Sequence, residues 1–223
     1  MSFVTLAPSG ERLTVGTIYC LGRNYAEHAA EMKADVPAEP VVFLKPSAAL
    51  LADGGDVVIP HISRDLHHEV ELVAVIGTGG RRIAPERAYD HVLGYGVGLD
   101  MTLRDVQAEA KKKGLPWSVA KGFATSAPVS TIVAKDRVPD PHALEIVLRV
   151  NGEIRQHSHT SRMLFPLPAV VSYLSSIFGL ERGDLIFTGT PEGVGPVRPG
   201  DRLEAELPGV ALLRVGVRSA AAG

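Results

Sequence analysis

The sequence predicts an α+β fold in which β-strands predominate. Sixteen prolines and 23 glycines are scattered along the 223 residues, between short runs of β-branched and other apolar side chains. This pattern is typical of a strand-rich chain with many turns, and helical periodicity is confined to a few short segments. Because no internal repeat, low-complexity linker or change of composition divides the chain, we expect a single domain over residues 1–223.

Nine runs have the character of strands. The strongest lies within LHHEVELVAVIG, which begins at Leu66 and is apolar on both faces over most of its length, as expected of a strand with a core on each side. An Asn-Gly pair after the sixth run predicts a tight hairpin. In chain order the runs are TIYCLG, VVFLKP, DVVIP, EVELVAVIG, GYGVGLDMT, LEIVLRVNGE, DLIFTGT, DRLEAEL and ALLRVGV.

Three segments are predicted to be helical. The first covers residues 25–33, where Asn24 and Glu27 have the spacing of an N-cap and its capping-box partner. The second covers residues 103–113. The third covers residues 168–178, within an 18-residue stretch without charge that touches the lower limit for a membrane span. Its prolines, its serines and its one-sided apolar pattern instead indicate an amphipathic helix on a core or a subunit interface.

Composition argues against polyanionic partners and against a secreted, disulfide-linked fold. The formal net charge is -2, and the longest run of like charge is Lys111–Lys113, so neither nucleic acid nor an anionic membrane is an expected partner. The only cysteine, Cys20, lies in an apolar run and is expected to be a core thiol. The first residues lack a basic stretch followed by an apolar signal core, so the expected location is the cytoplasm.

Three acidic residues stand at the ends of apolar strands. Glu69 and Glu71 point to the same face about 6.6 Å apart, where their repulsion is on the order of 2.5 kcal/mol at an effective dielectric constant near 20. Solvation at a strand end would explain this pair as well as a bound cation would. Asp100 ends another apolar run, whose glycines allow close approach to the backbone. Three carboxylates without a cysteine or an HExxH pair favour magnesium, manganese or calcium over zinc.

Two further patterns suggest acid-base and anion chemistry. His28 and Glu31 have the i, i+3 spacing that allows the carboxylate to orient the imidazole, which could then take a proton from water. The alternative is an exposed surface pair. Lys121 follows a tryptophan and precedes a Gly-Phe step, and Arg104 begins a helix just after Asp100. Each could bind an anion, although each could equally be a solvated cation.

The stretch DLIFTGTPEGVGPV runs from a strand into a glycine-rich loop. Backbone N–H groups in such a loop can form an anion-binding concavity. No Gly-Lys-Ser/Thr follows it, and the sequence contains neither a G-x-G-x-x-G between a strand and a helix nor a G-x-S-x-G elbow. The sequence therefore lacks the motifs that usually indicate nucleotide hydrolysis or serine-hydrolase chemistry.

Seven motifs taken together resemble the fumarylacetoacetate hydrolase family. In order they are GRNYAEHAAEM, FLKPSAAL, HHEVELVAVIG, GYGVGLDMTLRDVQ, LPWSVAKGFATSAPVS, VNGEIRQ and GDLIFTGTPEGVGPV. The match spans roughly Ile18 to Val217, and the length is similar to that of small single-domain members, including acylpyruvate hydrolases and oxaloacetate decarboxylases. The resemblance implies a roll of mixed β-sheets with few short helices, a core at about residues 18–217, and a homodimer.

The same resemblance implies a role for each candidate site residue. The implied ligands of Mg²⁺ or Mn²⁺ are Glu69, Glu71 and Asp100. The implied catalytic residues are His28 and Glu31, which would activate water, and Lys121, which would stand beside the metal and the developing enolate. The implied substrate contacts are Arg104, Gln107 and Thr190. Three further residues are candidates to line the apolar end of the substrate pocket, namely Tyr25, Met101 and Trp117.

The implied reaction is hydrolysis of a carbon-carbon bond in a 2,4-dioxo acid, an acylpyruvate such as fumarylpyruvate or acetylpyruvate, through a metal-stabilised pyruvate enolate. Oxaloacetate decarboxylation would use the same enolate without an attacking water. Isomerisation of 2-hydroxyhepta-2,4-diene-1,7-dioate, as in aromatic catabolism, would use it with a proton shuttle. A metal-dependent 2-oxo acid binding protein without turnover is the alternative that is not an enzyme, and the sequence does not separate these four.

Overall fold

Strands make up more of the chain than helices in the computed structural model, which describes residues 2–32 and 35–221. The strands are β1 (Phe3–Ala7), β2 (Arg12–Thr14), β3 (Ile18–Gly22), β4 (Val41–Lys45), β5 (Leu50–Ala52), β6 (Asp56–Ile59), β7 (Leu66–His68), β8 (Val70–Ile76), β9 (Val92–Leu99), β10 (Thr102–Leu103), β11 (Ala127–Val129), β12 (Ile132–Ala134), β13 (Glu145–Val150), β14 (Glu153–His159), β15 (Leu185–Phe187), β16 (Gly195–Val197), β17 (Arg202–Leu207) and β18 (Ala211–Ser219). The α-helices are α1 (Ala26–Glu31), α2 (Ala88–His91), α3 (Arg104–Lys112), α4 (Ser118–Lys121) and α5 (Leu167–Ile177).

The prediction of an α+β fold that is mainly β is confirmed, and each of the nine predicted runs contains a strand. The three predicted helices correspond to α1, α3 and α5, although Lys33, at the predicted end of the first, lies outside the described residues. Several strands of two or three residues were not predicted, because so short a run carries too little periodicity. No helix in residues 2–32 and 35–221 is long and apolar enough to cross a membrane.

The described strands form three sheets, of which the two larger ones contain both parallel and antiparallel neighbours and the smallest is antiparallel. The largest has ten strands in the order β2-β1-β12-β9-β8-β15-β3-β4, with β11 and β5 attached beside β9. Most neighbours in it are antiparallel, while β1 with β12, β15 with β3 and β11 with β5 are parallel. A five-stranded sheet runs β14-β13-β17-β18-β6, and a three-stranded sheet runs β10-β7-β16.

The central strand β8 has a hydrophobic core on each side, which explains why both of its faces are apolar. Val73 and Val75 pack with Phe187 of β15 in one cluster. Leu72 and Ala74 point the other way into the larger cluster, which also contains the buried face of α5. Alternation along a strand makes this division inevitable once both sides are covered. Cys20 is fully buried in the first cluster, as predicted.

The glycines of β9 allow the protein's own side chains and backbone to approach. A Cβ atom on Gly94 would lie 2.3 Å from the carbonyl oxygen of Val133, and a Cβ atom on Gly98 would lie 2.7 Å from the ring of Phe187. The sequence predicted that other groups approach this strand closely. In the structure these groups belong to β12 and β15, which pack against the glycines. Gly98 also lies directly opposite Glu71 in the antiparallel register of β8 and β9.

The predicted helix cap at Asn24 is wrong. The N-cap position of α1 is Tyr25, and no side chain caps it. The Asn24 side chain is fully buried instead, where its amide donates to the carbonyl oxygens of Phe165 (3.1 Å) and Thr188 (2.7 Å) and accepts from the N–H of Phe165 (2.7 Å). Buried backbone groups need partners, so these contacts determine the position of this side chain. They tie the start of α1 to the end of β15.

Candidate active site

The structure brings Glu69, Glu71 and Asp100 together. One oxygen atom from each lies within 4.8 Å of the others, and all three residues are buried. The register of the large sheet produces this cluster, because Glu71 faces Gly98 across β8 and β9 and the N–H of Asp100 donates to the carbonyl oxygen of Glu69 (2.8 Å). Burial excludes the alternative in which the two glutamates are solvated at a strand end.

Three cations surround two of these carboxylates. Lys121 Nζ lies 2.6 Å from Glu69 Oε2 and 2.7 Å from Asp100 Oδ2. Arg104 Nη2 lies 2.6 Å from Glu69 Oε1, and Lys45 Nζ lies 2.7 Å from Asp100 Oδ1. Burial raises the pKa of Glu69, but Lys121 and Arg104 more than reverse this and hold it well below its usual range. Burial likewise lowers the pKa of Lys121, while Asp100 and Glu69 raise it further than burial lowers it.

Glu71 is different, because no cation pairs with it among the described residues. Its one hydrogen bond comes from the backbone N–H of Gly189, which donates to Oε2 (2.7 Å). Burial raises the pKa of Glu71 well above its usual range, and the charges of Asp100 and Glu69 raise it further. A buried carboxylate in this position either holds a proton or needs added positive charge. The donor set of three carboxylate oxygens fits a hard divalent cation such as Mg²⁺ or Mn²⁺.

Lys45 was not predicted as a site residue. It is 1 % exposed, and its ammonium group also contacts the carbonyl oxygens of Met101 (3.2 Å) and Ser126 (3.0 Å) and that of Lys121. In the register of β3 with β4, Lys45 lies opposite Ile18, on the face that carries the carboxylates. A lysine that closes the apolar run VVFLKP was the available sign of an inward charge.

His28 and Glu31 form the predicted pair. His28 is 6 % exposed, and its Nδ1 lies 3.3 Å from Glu31 Oε2. The backbone N–H of Gly193 donates to both Glu31 oxygens, at 3.1 and 3.2 Å, which fixes the carboxylate against the glycine-rich loop. The burial of His28 argues against an ordinary surface pair and leaves one imidazole nitrogen available for proton transfer.

An open cleft lies over the carboxylates. The predicted site residues that line it are His28, Glu69, Glu71, Arg104, Gln107, Lys121 and Thr190. Arg104 Nη1 donates to the side-chain oxygen of Gln107 (2.8 Å), so these two residues are held together. Of the three candidates for its apolar end, Trp117 lines the cleft, whereas Tyr25 and Met101 are fully buried and do not line it. Burial raises the pKa of Tyr25, and the charges of Glu71 and Glu192 raise it further.

A second residue that sequence reasoning missed is Gln156 of β14, which is 1 % exposed. Its Oε1 accepts from His68 Nδ1 and from the N–H of Val70, each at 3.0 Å. Its Nε2 donates to Thr190 Oγ1 and to the carbonyl oxygen of Pro191, each at 2.9 Å. Gln156 therefore joins the strand that carries Glu71 to the loop that carries Thr190. Most of the residues around it in β14 are exposed, which hid it in the sequence pattern.

We expect Gln156→Leu to lower the free energy of unfolding by about 2 to 4 kcal/mol, because it leaves several buried polar groups without partners. The matched control is His157→Leu on the same strand, which faces solvent beside Glu145 and is expected to change stability by less than about 0.5 kcal/mol. Urea unfolding of both variants measures the difference. Equal stabilities would contradict the role of the Gln156 network.

A family model agrees with the motifs and the fold. The model described as "Fumarylacetoacetate (FAA) hydrolase C-terminal" matches residues 17–218. Among curated relatives, the mitochondrial oxaloacetate tautomerase FAHD1 of Mus musculus is 53 % identical over 201 residues, which cover 90 % of this chain and 91 % of the relative. The protein of the same name from Arabidopsis thaliana is 50 % identical and covers 90 % of each chain.

Solved structures with the same fold include enzymes with different reactions. Fumarylpyruvate hydrolase from Pseudomonas aeruginosa, in complex with Mn²⁺ and pyruvate, superposes with a TM-score of 0.94 at 42 % identity and covers 98 % of this chain and 96 % of that one. A 2-hydroxyhepta-2,4-diene-1,7-dioate isomerase from Mycobacterium marinum gives a TM-score of 0.83 at 35 % identity, covering 94 % and 77 %.

Proposed function

Since the chain belongs to the fumarylacetoacetate hydrolase family, we propose that it is a divalent-metal-dependent enzyme that converts a small 2-oxo acid through its enolate, with oxaloacetate as the first candidate substrate. The observation that carries the proposal is Glu71, a buried carboxylate without a cation partner among the described residues, beside Glu69 and Asp100. These three residues would hold Mg²⁺ or Mn²⁺. A bound divalent cation supplies positive charge for the carboxylate and keto oxygens of the substrate and for the enolate charge.

The chain's own cations would act beside that ion. Lys121 is held at one wall of the cleft by Glu69 and Asp100, so its ammonium group stays protonated and adds positive charge where an enolate develops. Arg104 and Gln107 lie on the same side of the cleft as a joined pair and would orient a substrate carboxylate. Thr190 lies where the glycine-rich loop closes the cleft and would contact the carboxylate or keto group.

Hydrolysis of an acylpyruvate is the second candidate, and the His28–Glu31 pair favours it. An imidazole oriented by a carboxylate at the cleft can take a proton from water that attacks the distal carbonyl carbon. The bond between that carbon and the neighbouring methylene carbon then breaks, and its electron pair passes to the pyruvate fragment as an enolate. The solved fumarylpyruvate hydrolase supports this candidate. Oxaloacetate decarboxylation or tautomerisation requires no attacking water, so the same cleft could serve both substrates.

A panel of substrates with and without metal tests the proposal. We expect the protein with Mg²⁺ or Mn²⁺ to turn over oxaloacetate, measured by loss of enol absorbance and by pyruvate release, and expect a chelator to reduce the rate by at least about a hundredfold. Acetylpyruvate, fumarylpyruvate and an unsaturated 2-hydroxy diacid complete the panel. Undiminished turnover after complete removal of metal would overturn the proposal. Binding of 2-oxo acids without any product would favour a binding protein instead.

The proposal also covers the oligomeric state and the cellular location of the protein. We propose a homodimer of single-domain chains, which sedimentation analysis would measure, and a cytoplasmic location. Subcellular fractionation tests the cytoplasmic location. The test is needed because the names of the curated relatives from animals and from Arabidopsis place those proteins in mitochondria.

A further inference from the structure

Two cations on the wall of the cleft have no partner in the proposed chemistry. Arg23 and Lys111 both line the cleft. Within residues 2–32 and 35–221, no carboxylate lies within ion-pair distance of either one. Burial lowers the pKa of Lys111, and the nearby charges of Arg104, Arg23 and Lys121 lower it further. The charge of Glu69 acts on Lys111 in the opposite direction, but Glu69 already pairs with Lys121 and Arg104, so positive charge is in excess at this wall of the cleft, which favours binding of an anion.

An aromatic pair separates Lys111 from the inner ammonium group. Lys121 Nζ lies 4.9 Å from the centre of the Phe43 ring, and Phe43 meets the ring of Trp117 edge-on at 5.9 Å between centroids. Lys111 Nζ lies 5.2 Å from the centre of the Trp117 ring. A ligand that reaches from Lys121 to Lys111 would therefore pass an apolar wall before it meets the second charge.

The three consecutive lysines, Lys111 to Lys113, differ in their surroundings. Lys112 Nζ lies 2.9 Å from Glu109, and Lys113 Nζ lies 3.9 Å from the same residue, both on the solvent side of α3. Lys111 points to Trp117 and the cleft instead. Helix geometry separates adjacent residues by about 100° around the axis, so only one of the three can face the cleft. Lys112 is therefore a natural control for Lys111.

Arg23 lines the cleft and lies in a turn with an unusual backbone conformation. Its φ is +59°, in the left-handed region that side chains other than glycine seldom adopt. It stands between Gly22, which lines the same cleft, and Asn24, whose three buried hydrogen bonds hold this turn in place. An arginine held at a cleft wall offers the planar donor geometry that matches a carboxylate.

We propose that Lys111 and Arg23 form a second carboxylate site, so that the chain prefers 2-oxo diacids to 2-oxo monoacids of the same length. The inference rests on the proposed function, because the inner site must hold the 2-oxo acid group. The carbon chain between the two groups would lie along Phe43 and Trp117, and the distal carboxylate would contact the outer cations. This assigns a substrate class, a linear diacid whose second carboxylate lies several bonds from the keto group. Fumarylpyruvate has this form, whereas oxaloacetate, with one methylene group between its keto carbon and its second carboxylate, would occupy the inner site alone.

Two six-carbon ligands test the site. 2-Oxoadipate and 2-oxohexanoate differ only in a terminal carboxylate, and neither contains a bond that the proposed chemistry would break. Calorimetric titration in the presence of Mn²⁺ measures the affinity of each, and fluorescence of Trp117, the only tryptophan of the chain, gives a second readout at the proposed contact. We expect wild type to bind the diacid about tenfold more tightly, the effect of two partly exposed charge contacts.

The variants locate the preference. Lys111→Met and Arg23→Gln should each reduce the ratio of the two affinities to about threefold, and the double variant should remove it, while 2-oxohexanoate binds as before. Lys112→Met removes the same charge from the outer face of α3 and should leave the ratio unchanged. If wild type binds neither ligand, the proposed function fails. If it binds both equally, or if the ratio survives in the double variant, the second carboxylate site is overturned and the proposed function stands.

Discussion

Glu71→Gln is expected to abolish tight binding of Mn²⁺ and to leave the metal-free protein at least as stable as wild type. Glu71 is buried beside Asp100 and Glu69 and has no cation partner among the described residues, so without metal it either repels these carboxylates or must hold a proton. Glutamine keeps the oxygen that accepts from the N–H of Gly189 and removes the charge. Metal binding then loses one of three carboxylate ligands, and turnover should fall by at least about a hundredfold.

Asp100→Asn should give the opposite result for stability. Asp100 contacts the ammonium groups of Lys45 and Lys121, both nearly inaccessible to solvent. Replacing it with a neutral amide of the same shape leaves the buried Lys45 without a carboxylate partner and Lys121 with Glu69 alone, which is expected to cost about 3 kcal/mol or more in the metal-free protein. The two substitutions therefore distinguish the roles of the two residues. The main partner of Glu71 would be the bound cation, whereas Asp100 also stabilises the cleft through its lysine partners.

Urea unfolding in the presence of a chelator, and then with Mn²⁺, measures both effects. Glu109→Gln is the control for charge, since Glu109 is exposed and pairs with Lys112 and Lys113 at the end of α3. Wild type and the control should gain stability from Mn²⁺, whereas both site variants should gain little. A metal-free Glu71→Gln protein that is several kcal/mol less stable than wild type, or one that binds Mn²⁺ normally, would count against a cation at this cluster.

The sequence singled out Glu69, Glu71 and Asp100 because each stands at the end of an apolar strand, which is a local feature, and the pairing of β8 with β9 then brings them together. Alternation along β8 fixes Glu71 on the face that meets Gly98, and Asp100 ends the strand beside it. Lys45 and Gln156 were missed because their positions depend on which strands pair and in which register, and no single segment contains that information.

The helix cap failed for a related reason. Asn24 has the local spacing of an N-cap, yet it lies where two distant segments leave backbone groups that need partners. Tertiary contacts of this kind override a local preference, because an unpaired buried peptide group costs more than an uncapped helix end. The sequence likewise does not predict that Lys111 differs from Lys112 and Lys113 in its surroundings. That difference depends on a tertiary contact, the approach of Lys111 to Trp117.

His28→Ala is expected to lower the rate of acylpyruvate cleavage by about a hundredfold to ten-thousandfold, the usual range for the loss of a general base. The same substitution should reduce oxaloacetate decarboxylation far less, because loss of carbon dioxide requires no activated water. The imidazole of His28 pairs with Glu31 and has no hydrogen bond to Glu69, Glu71 or Asp100, so the affinity for Mn²⁺ should change little.

Glu31→Gln provides the matched comparison for His28→Ala. Glutamine keeps a side-chain oxygen for the N–H of Gly193 but cannot stabilise a protonated imidazole, so hydrolysis should fall by a smaller factor, about tenfold. Initial rates on acetylpyruvate and oxaloacetate, measured on the same preparations, give the ratio that matters. Equal loss of both activities in His28→Ala would mean that the imidazole serves the enolate rather than the water. If neither activity falls, His28 has no role in the reaction. The carboxylate cluster with its metal and Lys121 would then be the groups that act on every substrate.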